Sequence, residues 1–315
     1  MKKRREVLKV SRLAAFAWFV LVGLLAAGLR LSAETLTIAT YNVENYVAAN
    51  RMVDGTYRQD YPKPEAEKQA LRVVIRALNA DVIALEEMGT RPYLEELQRD
   101  LAREGFAYPY GELLEASDAD RHVAVLSRRP FVAVMKHTDL TFSYFGTKET
   151  VKRGLLEVRL ATEAGEIAVF VVHLKSRFTD RIDDPNSALR RLGEATAVRD
   201  RVLKIFPEPD AVRFLIVGDC NDSAASKPLR SLMLKGKTEI TQILLAADRR
   251  GEGWTHFYKK EQTYSTVDHM LVSAKLKAVV VGGAAKICDV PETAVASDHR
   301  PVVVTLKLDD ETKTP

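Results

Sequence analysis

The chain has 315 residues, 46% of them hydrophobic and 29% charged, with a formal net charge of +4 and only two cysteines. That balance excludes a disordered, collagen-like or disulfide-dense chain and supplies enough apolar material for one large α/β domain or two small ones. Residues 1–33 carry seven Lys/Arg and one Glu, so residues 34–315 hold 40 basic and 42 acidic side chains, a net charge of −2 that excludes the overall positive field of a strong non-specific nucleic-acid binder.

Lys2, Lys3, Arg4 and Arg5 precede the apolar stretch from Leu13 to Ala27, and Leu31-Ser32-Ala33 ends on a small residue. This pattern reads as an export signal over residues 1–33 and places the protein in the periplasm or outside the cell. Arg4-Arg5-Glu6-Val7-Leu8-Lys9 also fits the twin-arginine pattern, an alternative to general secretion. The stretch is short against the about 20 apolar residues of a spanning helix, which makes an uncleaved membrane anchor the weaker reading.

Past the signal, residues 36–41 read as a strand leading into Asn42-Val43-Glu44-Asn45, and residues 46–63 lack periodicity and are expected to form a loop. Helical spacing of Leu71, Val74, Ile75 and Leu78 marks a helix over 65–78, closed by Asn79-Ala80. The run over 81–85 is that of a strand buried on both faces, delivering Glu86 and Glu87 at its end. A helix from Pro92 to Arg103 follows, then strands at 122–127, 131–137, 154–160 and 167–173. Helical spacing returns over 187–206 and ends at Pro207 and Pro209. A strand at 213–217, a short helix at 228–234, an irregular polar stretch at 248–264 and strands at 268–272 and 302–308 complete the chain.

No repeat or linker divides the sequence, so one domain over 34–309 with a short tail at 310–315 is expected. Helices near both ends and hairpins between them imply a mixed α/β (α+β) architecture, two sheets packed face to face with helices outside. Cys220 lies between polar residues that project outward and is expected to face the interior as a small hydrophobe, with a bond to Cys288 the lesser alternative.

Five clusters fall at the predicted strand ends: Tyr41-Asn42-Val43-Glu44, Leu85-Glu86-Glu87, Val172-His173-Leu174-Lys175-Ser176, Gly218-Asp219-Cys220-Asn221 with Val267-Asp268-His269, and Ser297-Asp298-His299-Arg300-Pro301. Asp219 and Asn221, two residues apart, project the same way at the rim of a sheet. Acids, amides and imidazoles gathered there suit a metal-assisted hydrolytic site.

In this order the five motifs resemble the endonuclease/exonuclease/phosphatase superfamily across nearly the whole of residues 35–308. The resemblance implies a deoxyribonuclease I-like, four-layer sandwich of two packed mixed β-sheets with helices on the outer faces. It also implies phosphoester hydrolysis with a divalent metal, magnesium first and manganese or calcium as alternatives. Asn42, Glu87 and Asp298 would then hold the metal, with Glu87 rather than Glu86 in the Leu-x-Glu position. Asn42 and Arg153 would contact substrate phosphate, and Asp219 would orient or deprotonate the attacking water. Asn221 would steady the phosphate, Asp268 would hold His299, and His173 would protonate the leaving oxygen. Cys220 stands where the family has an apolar residue, and no carboxylate can be assigned to orient His173.

The first functional expectation is an exported endonuclease or phosphodiesterase that cleaves by in-line water attack, with nucleic acid as its substrate. It would be a monomer with no obligate protein partner. A sphingomyelinase or phosphoinositide phosphatase acting on phospholipid is the second, with Leu140-Thr141-Phe142-Ser143-Tyr144-Phe145 as a segment to dock on a bilayer. A binding protein that has the fold without catalysis is the third, and the presence of every expected acid, amide and imidazole argues against it. Lys175, Arg177, Arg181, Arg190 and Arg191 are expected to form a local positive rim on a largely solvated surface, while Asp222 and His269 are expected to lie outside the chemistry.

Overall fold

Alternating and continuous apolar runs produce strands whose two faces both need cover, and the chain supplies it by stacking sheets and flanking them with helices. The computed structural model describes residues 33–308 except residue 180, so nearly all of the export-signal segment and the tail at 310–315 lie outside the described residues. Among the described residues, no helix is long and apolar enough to cross a membrane.

The strands of the two large sheets are β1 Glu34–Tyr46, β2 Val82–Met88, β3 Tyr110–Leu114, β4 His122–Ser127, β5 Phe131–His137, β6 Leu155–Thr162, β7 Gly165–His173, β8 Phe214–Asp219, β9 Gln242–Ile243, β10 Ala246–Ala247, β11 Asp268–Val272, β12 Ala285–Ile287 and β13 Val302–Leu308. The first sheet has the order β10-β12-β13-β1-β2-β4-β3 and the second β9-β11-β8-β7-β6-β5. Both are mixed: β1 and β2 pair in parallel, as do β7 and β8, while β2–β4 and β8–β11 are antiparallel.

Ile38, Val82 and Val125 of the first sheet meet Val169, Val171 and Leu215 of the second in one buried cluster, the central core. On the outer face of the first sheet, Ile83 and Leu85 pack under α1 (Glu65–Leu78) and α2 (Arg91–Arg103) through Leu71, Ile75, Leu94 and Leu97. On the outer face of the second, Phe170, Phe214 and Ile216 pack under α3 (Ala188–Ile205) and α4 (Lys227–Met233) through Val198, Val202 and Leu229. The result is the expected four-layer sandwich. Cys220 belongs to the outer core of the second sheet and Cys288 packs against that of the first, so both are free thiols.

Three segments differ from their expected form. Residues 46–63 hold a β-ribbon, Ala49–Val53 paired with Thr56–Tyr61, turned at Asp54-Gly55 with φ of 50° and 73°. That Asp-Gly pair is a type I′ hairpin signal, flanked here by strands with too few apolar residues to reveal their period. The stretch 248–264 contains most of a second ribbon, His256–Tyr258 with Thr263–Ser265. The third, Leu140–Phe145, leads into a hairpin, Thr141–Tyr144 with Thr147–Thr150, that folds onto α3; Leu140 and Tyr144 are buried, and only Phe145 of its apolar residues is exposed.

Candidate active site

The two parallel strand pairs, β1–β2 and β7–β8, end at the same rim of the sandwich, which is where the motifs collect. In the second sheet the register alone makes a row: His173 pairs with Asp219 and Asp219 with Asp268 across three neighbouring strands. Gly218 permits this close approach, since at its φ of 141° a Cβ would overlap the Val172 carbonyl oxygen. The loop before β13 then lowers His299 onto Asp268, Nδ1 to Oδ2 at 2.8 Å, which leaves Nε2 facing Asp219 Oδ2 at 4.0 Å. Ligand atoms of Asp219, Asp268 and His299 all lie within 4.8 Å of one another.

The first sheet reaches across to this row. Asn42 Nδ2 donates to Asp219 Oδ2 at 3.1 Å, and its Oδ1 accepts from the Glu44 backbone N–H at 3.0 Å. The backbone then twists: Glu44, Asn45 and Glu87 take left-handed φ values of 47°, 52° and 60°, and the β1–β2 register slips between Asn42 and Tyr46. This kink separates the adjacent carboxylates. Glu86 points inward, fully buried, and accepts from Thr40 Oγ1 at 2.8 Å, whereas Glu87 is partly exposed. Glu87 Oε2 accepts from the Asn45 N–H at 3.0 Å; Oε1 lies 3.8 Å from Arg121 Nε and accepts no hydrogen bond among the described residues.

Charge and burial set distinct protonation states. Burial pushes the Asp219 carboxyl up to about 7, with His299 opposing and Asp268 reinforcing the shift. Burial alone would lower His299, but the carboxylates of Asp268, Asp219 and Asp298 raise it well above the ordinary histidine range. His173 is held well below that range by burial and by the Arg153 charge, so it is neutral. Burial and the nearby Asp268 raise Glu86 well above the usual carboxylate range.

The structure gathers the expected residues Asn42, Glu87, His173, Asp219, Asp268, Asp298 and His299 at this rim. Arg153 is 7% exposed, sits 2.9 Å from Asp118 Oδ2 through Nε, and among the described residues has no hydrogen-bond partner for Nη1. His173 Nε2 is 3.6 Å from Asp219 Oδ2 and Nδ1 has no partner among the described residues, so Asp219 is the neighbouring carboxylate that sequence could not name. Asp298 faces His256 Nε2 at 3.7 Å and His299 Nε2 at 3.9 Å. Asn221 turns back: its Nδ2 donates to Leu174 O and Asp219 Oδ2, and its N–H to Asp219 Oδ1, so it orients Asp219.

His269 binds the Asp222 carbonyl and Asp222 binds Arg191, both away from the cluster. The basic rim is largely spent: Arg181, Arg190 and Arg191 pair with Asp183, Glu149 and Asp222, and Lys175 caps the carbonyls of Ser176 and Phe178. Sequence reasoning gave no role to Glu44, Glu86 or His256. Glu44 and Glu86 lay inside recognised motifs, but His256 carries no local signal and is brought to the site by a backbone bridge to His299.

An Endonuclease/Exonuclease/phosphatase family model matches residues 39–299. Among solved structures, a Staphylococcus aureus beta toxin variant with bound magnesium ions shares 16% identity, TM-score 0.61, covering 87% of this chain and 100% of that one. Sphingomyelinase C from Streptomyces griseocarneus shares 16%, TM-score 0.58, over 87% and 99%. The human Nocturnin catalytic domain shares 14%, TM-score 0.57, over 86% and 93%. No curated protein matches by sequence.

Proposed function

The chain belongs to the Endonuclease/Exonuclease/phosphatase family, a family of phosphoester hydrolases, and on that premise we propose that it is a magnesium-dependent phosphodiesterase, exported by its N-terminal segment, with nucleic acid as substrate. The observation that carries the proposal is the buried row His173–Asp219–Asp268, joined by His299 on one side and by Asn42 from the opposite sheet.

The donor set fits a hard cation: Glu87 presents a carboxylate oxygen free of hydrogen bonds among the described residues, and Asn42 and Asp298 add oxygens on the same rim. Held by these three residues, magnesium would supply neutralisation of charge on the phosphate oxygens. Asp219, poised at about 7, accepts the proton of the attacking water. His299, kept charged by Asp268, stabilises the negative phosphorane-like charge that develops beside it. His173, kept neutral by burial and by Arg153, offers an N–H to the leaving oxygen, a hydrogen bond in place of a full charge. Nη1 of Arg153, unpartnered among the described residues, is a further buried donor for phosphate.

A phospholipid substrate is the second reading. Its support has moved from the Leu140–Phe145 segment to the loop after β7, where Phe178 is 81% and Ile182 96% exposed beside Arg177 and Arg181. The similarity to a sphingomyelinase C structure supports the same reading. Purified protein is assayed with magnesium, then with EDTA, on plasmid DNA, RNA, sphingomyelin and bis(p-nitrophenyl) phosphate. EDTA-sensitive cleavage of DNA or RNA supports the first reading and of sphingomyelin the second; hydrolysis of none sinks both in favour of a binding protein.

A further inference from the structure

His256 stands outside the machinery above, yet it is fixed against it. An antiparallel bridge pairs His256 with His299, and the Phe257 N–H donates to the Asp298 carbonyl at 2.9 Å, so the two imidazoles come to one side with ring centroids 4.6 Å apart. Between them lies Asp298, its Oδ2 3.7 Å from His256 Nε2 and its Oδ1 3.9 Å from His299 Nε2. One ligand atom from each of the three residues lies within 4.8 Å of the other two.

Two further features distinguish this corner from a chance acidic cluster. Each imidazole has its far nitrogen engaged: His299 Nδ1 sits on Asp268 Oδ2 at 2.8 Å, and His256 Nδ1 lies 3.4 Å from Ser265 Oγ. Carboxylate or hydroxyl partners on one ring nitrogen are how metal-ligating histidines are oriented, with the other nitrogen left for the ion. The mouth is also open, since the side chains of His256 and Asp298 are 23% and 29% exposed. The donor chemistry is two imidazole nitrogens and one carboxylate, which a hard cation does not select and a borderline transition metal does. Ligand atoms in a tetrahedral zinc site are about 3.4 Å apart, so the present spacings, which lie within 4.8 Å, close with a contraction of at most about 1.4 Å through side-chain rotation at the open mouth.

We propose that His256, Asp298 and His299 form a binding site for a borderline divalent transition metal of the zinc type, and that its occupancy ties up His299 Nε2 and so inhibits the enzyme. As zinc binds, the proton on His299 Nε2 leaves to solvent, and three protein ligands leave a fourth position for water. The binding half of the proposal stands on geometry alone, while the inhibitory half rests on the phosphodiesterase reading.

The test uses the full chain. Calorimetric titration with zinc, and the visible absorption of the cobalt(II) complex, are compared in wild type, His256→Ala and His256→Gln. Wild type is expected to bind zinc with an affinity roughly 10- to 100-fold above both variants and to give the intense bands of tetrahedral cobalt with nitrogen ligands. In parallel, zinc is expected to suppress magnesium-supported hydrolysis of bis(p-nitrophenyl) phosphate in wild type, and both variants to need roughly tenfold more zinc while keeping their zinc-free rate. Equal zinc affinity in wild type and both variants overturns the site. Zinc bound as expected but without inhibition overturns the regulatory half, and absence of hydrolysis on any substrate overturns the phosphodiesterase reading while calorimetry still decides the site.

Discussion

The two halves of the rim are built by opposite means. The second sheet makes its half from straight strand ends in register, so His173, Asp219 and Asp268 are all nearly inaccessible to solvent and reach their places through the ladder. The first sheet makes its half from a broken ladder, with Glu44, Asn45 and Glu87 all in the left-handed region and Glu87 turned towards water. The difference teaches what each half is for. Proton-handling groups gain from burial, which moves their pKa values towards neutrality. A hydrated cation needs an exposed oxygen, and a kinked strand end can supply it at a cost in backbone strain.

If burial in the second sheet sets the chemistry, the largest effects follow from its row. Asp219→Ala or His299→Ala is expected to lower turnover by roughly 10²- to 10⁴-fold with the circular dichroism spectrum unchanged. A variant at wild-type turnover removes the residue from the mechanism. Asp219 must be ionised to accept a proton and its pKa is raised to about 7, so kcat/KM is expected to climb as pH rises towards neutrality and to level above it. An acid limb lying near pH 4, the range of an ordinary carboxylate, would show that Asp219 is not the base.

This half of the site was also the legible one. Strands β5 and β11 of this sheet begin and end where the apolar pattern says, and a strand end fixes which side chains leave the sheet together. What the pattern could not carry was everything set by pairing between distant segments. Nothing near Asn221 says that its amide folds back on Asp219, and nothing near His256 announces the bridge to His299. The ribbons at 49–61 and 256–265 were hidden for a related reason: none of their residues is fully buried, so no core side imposes an apolar period of two.

Gly218 tests how tightly the row is drawn. A Cβ there meets the Val172 carbonyl on the paired strand at a φ that side chains rarely adopt, so Gly218→Ala is expected to cost about 2–4 kcal/mol, roughly 5–10 °C in Tm. Because Asp219 is the next residue, activity should fall well beyond what the unfolded fraction explains. An unchanged Tm would mean that β7 and β8 are not held at this spacing. On the other half, Glu87→Gln keeps the shape and removes the charge, and the magnesium concentration for half-maximal activity is expected to rise roughly 10- to 100-fold with the pH profile retained. A changed pH profile with unchanged magnesium dependence would assign Glu87 to proton transfer and dissolve the division between the halves.

The smallest effect isolates the strain itself. Asn45 holds a φ of 52°, donates its N–H to Glu87 Oε2 at 3.0 Å and accepts from Arg121 Nε on Oδ1 at 2.7 Å. Asn45→Ala and Asn45→Gly lose the same side-chain hydrogen bond and keep the same backbone donor, so their difference reports the conformation alone. A non-glycine residue in the left-handed region costs about 1 kcal/mol or slightly more, and asparagine is among those that bear it best. The glycine variant is therefore expected to melt above the alanine variant by roughly 2–4 °C despite its more flexible unfolded chain. Equal melting temperatures would show that the kink is not strained, and the exposure of Glu87 would then need a cause other than the backbone that carries it.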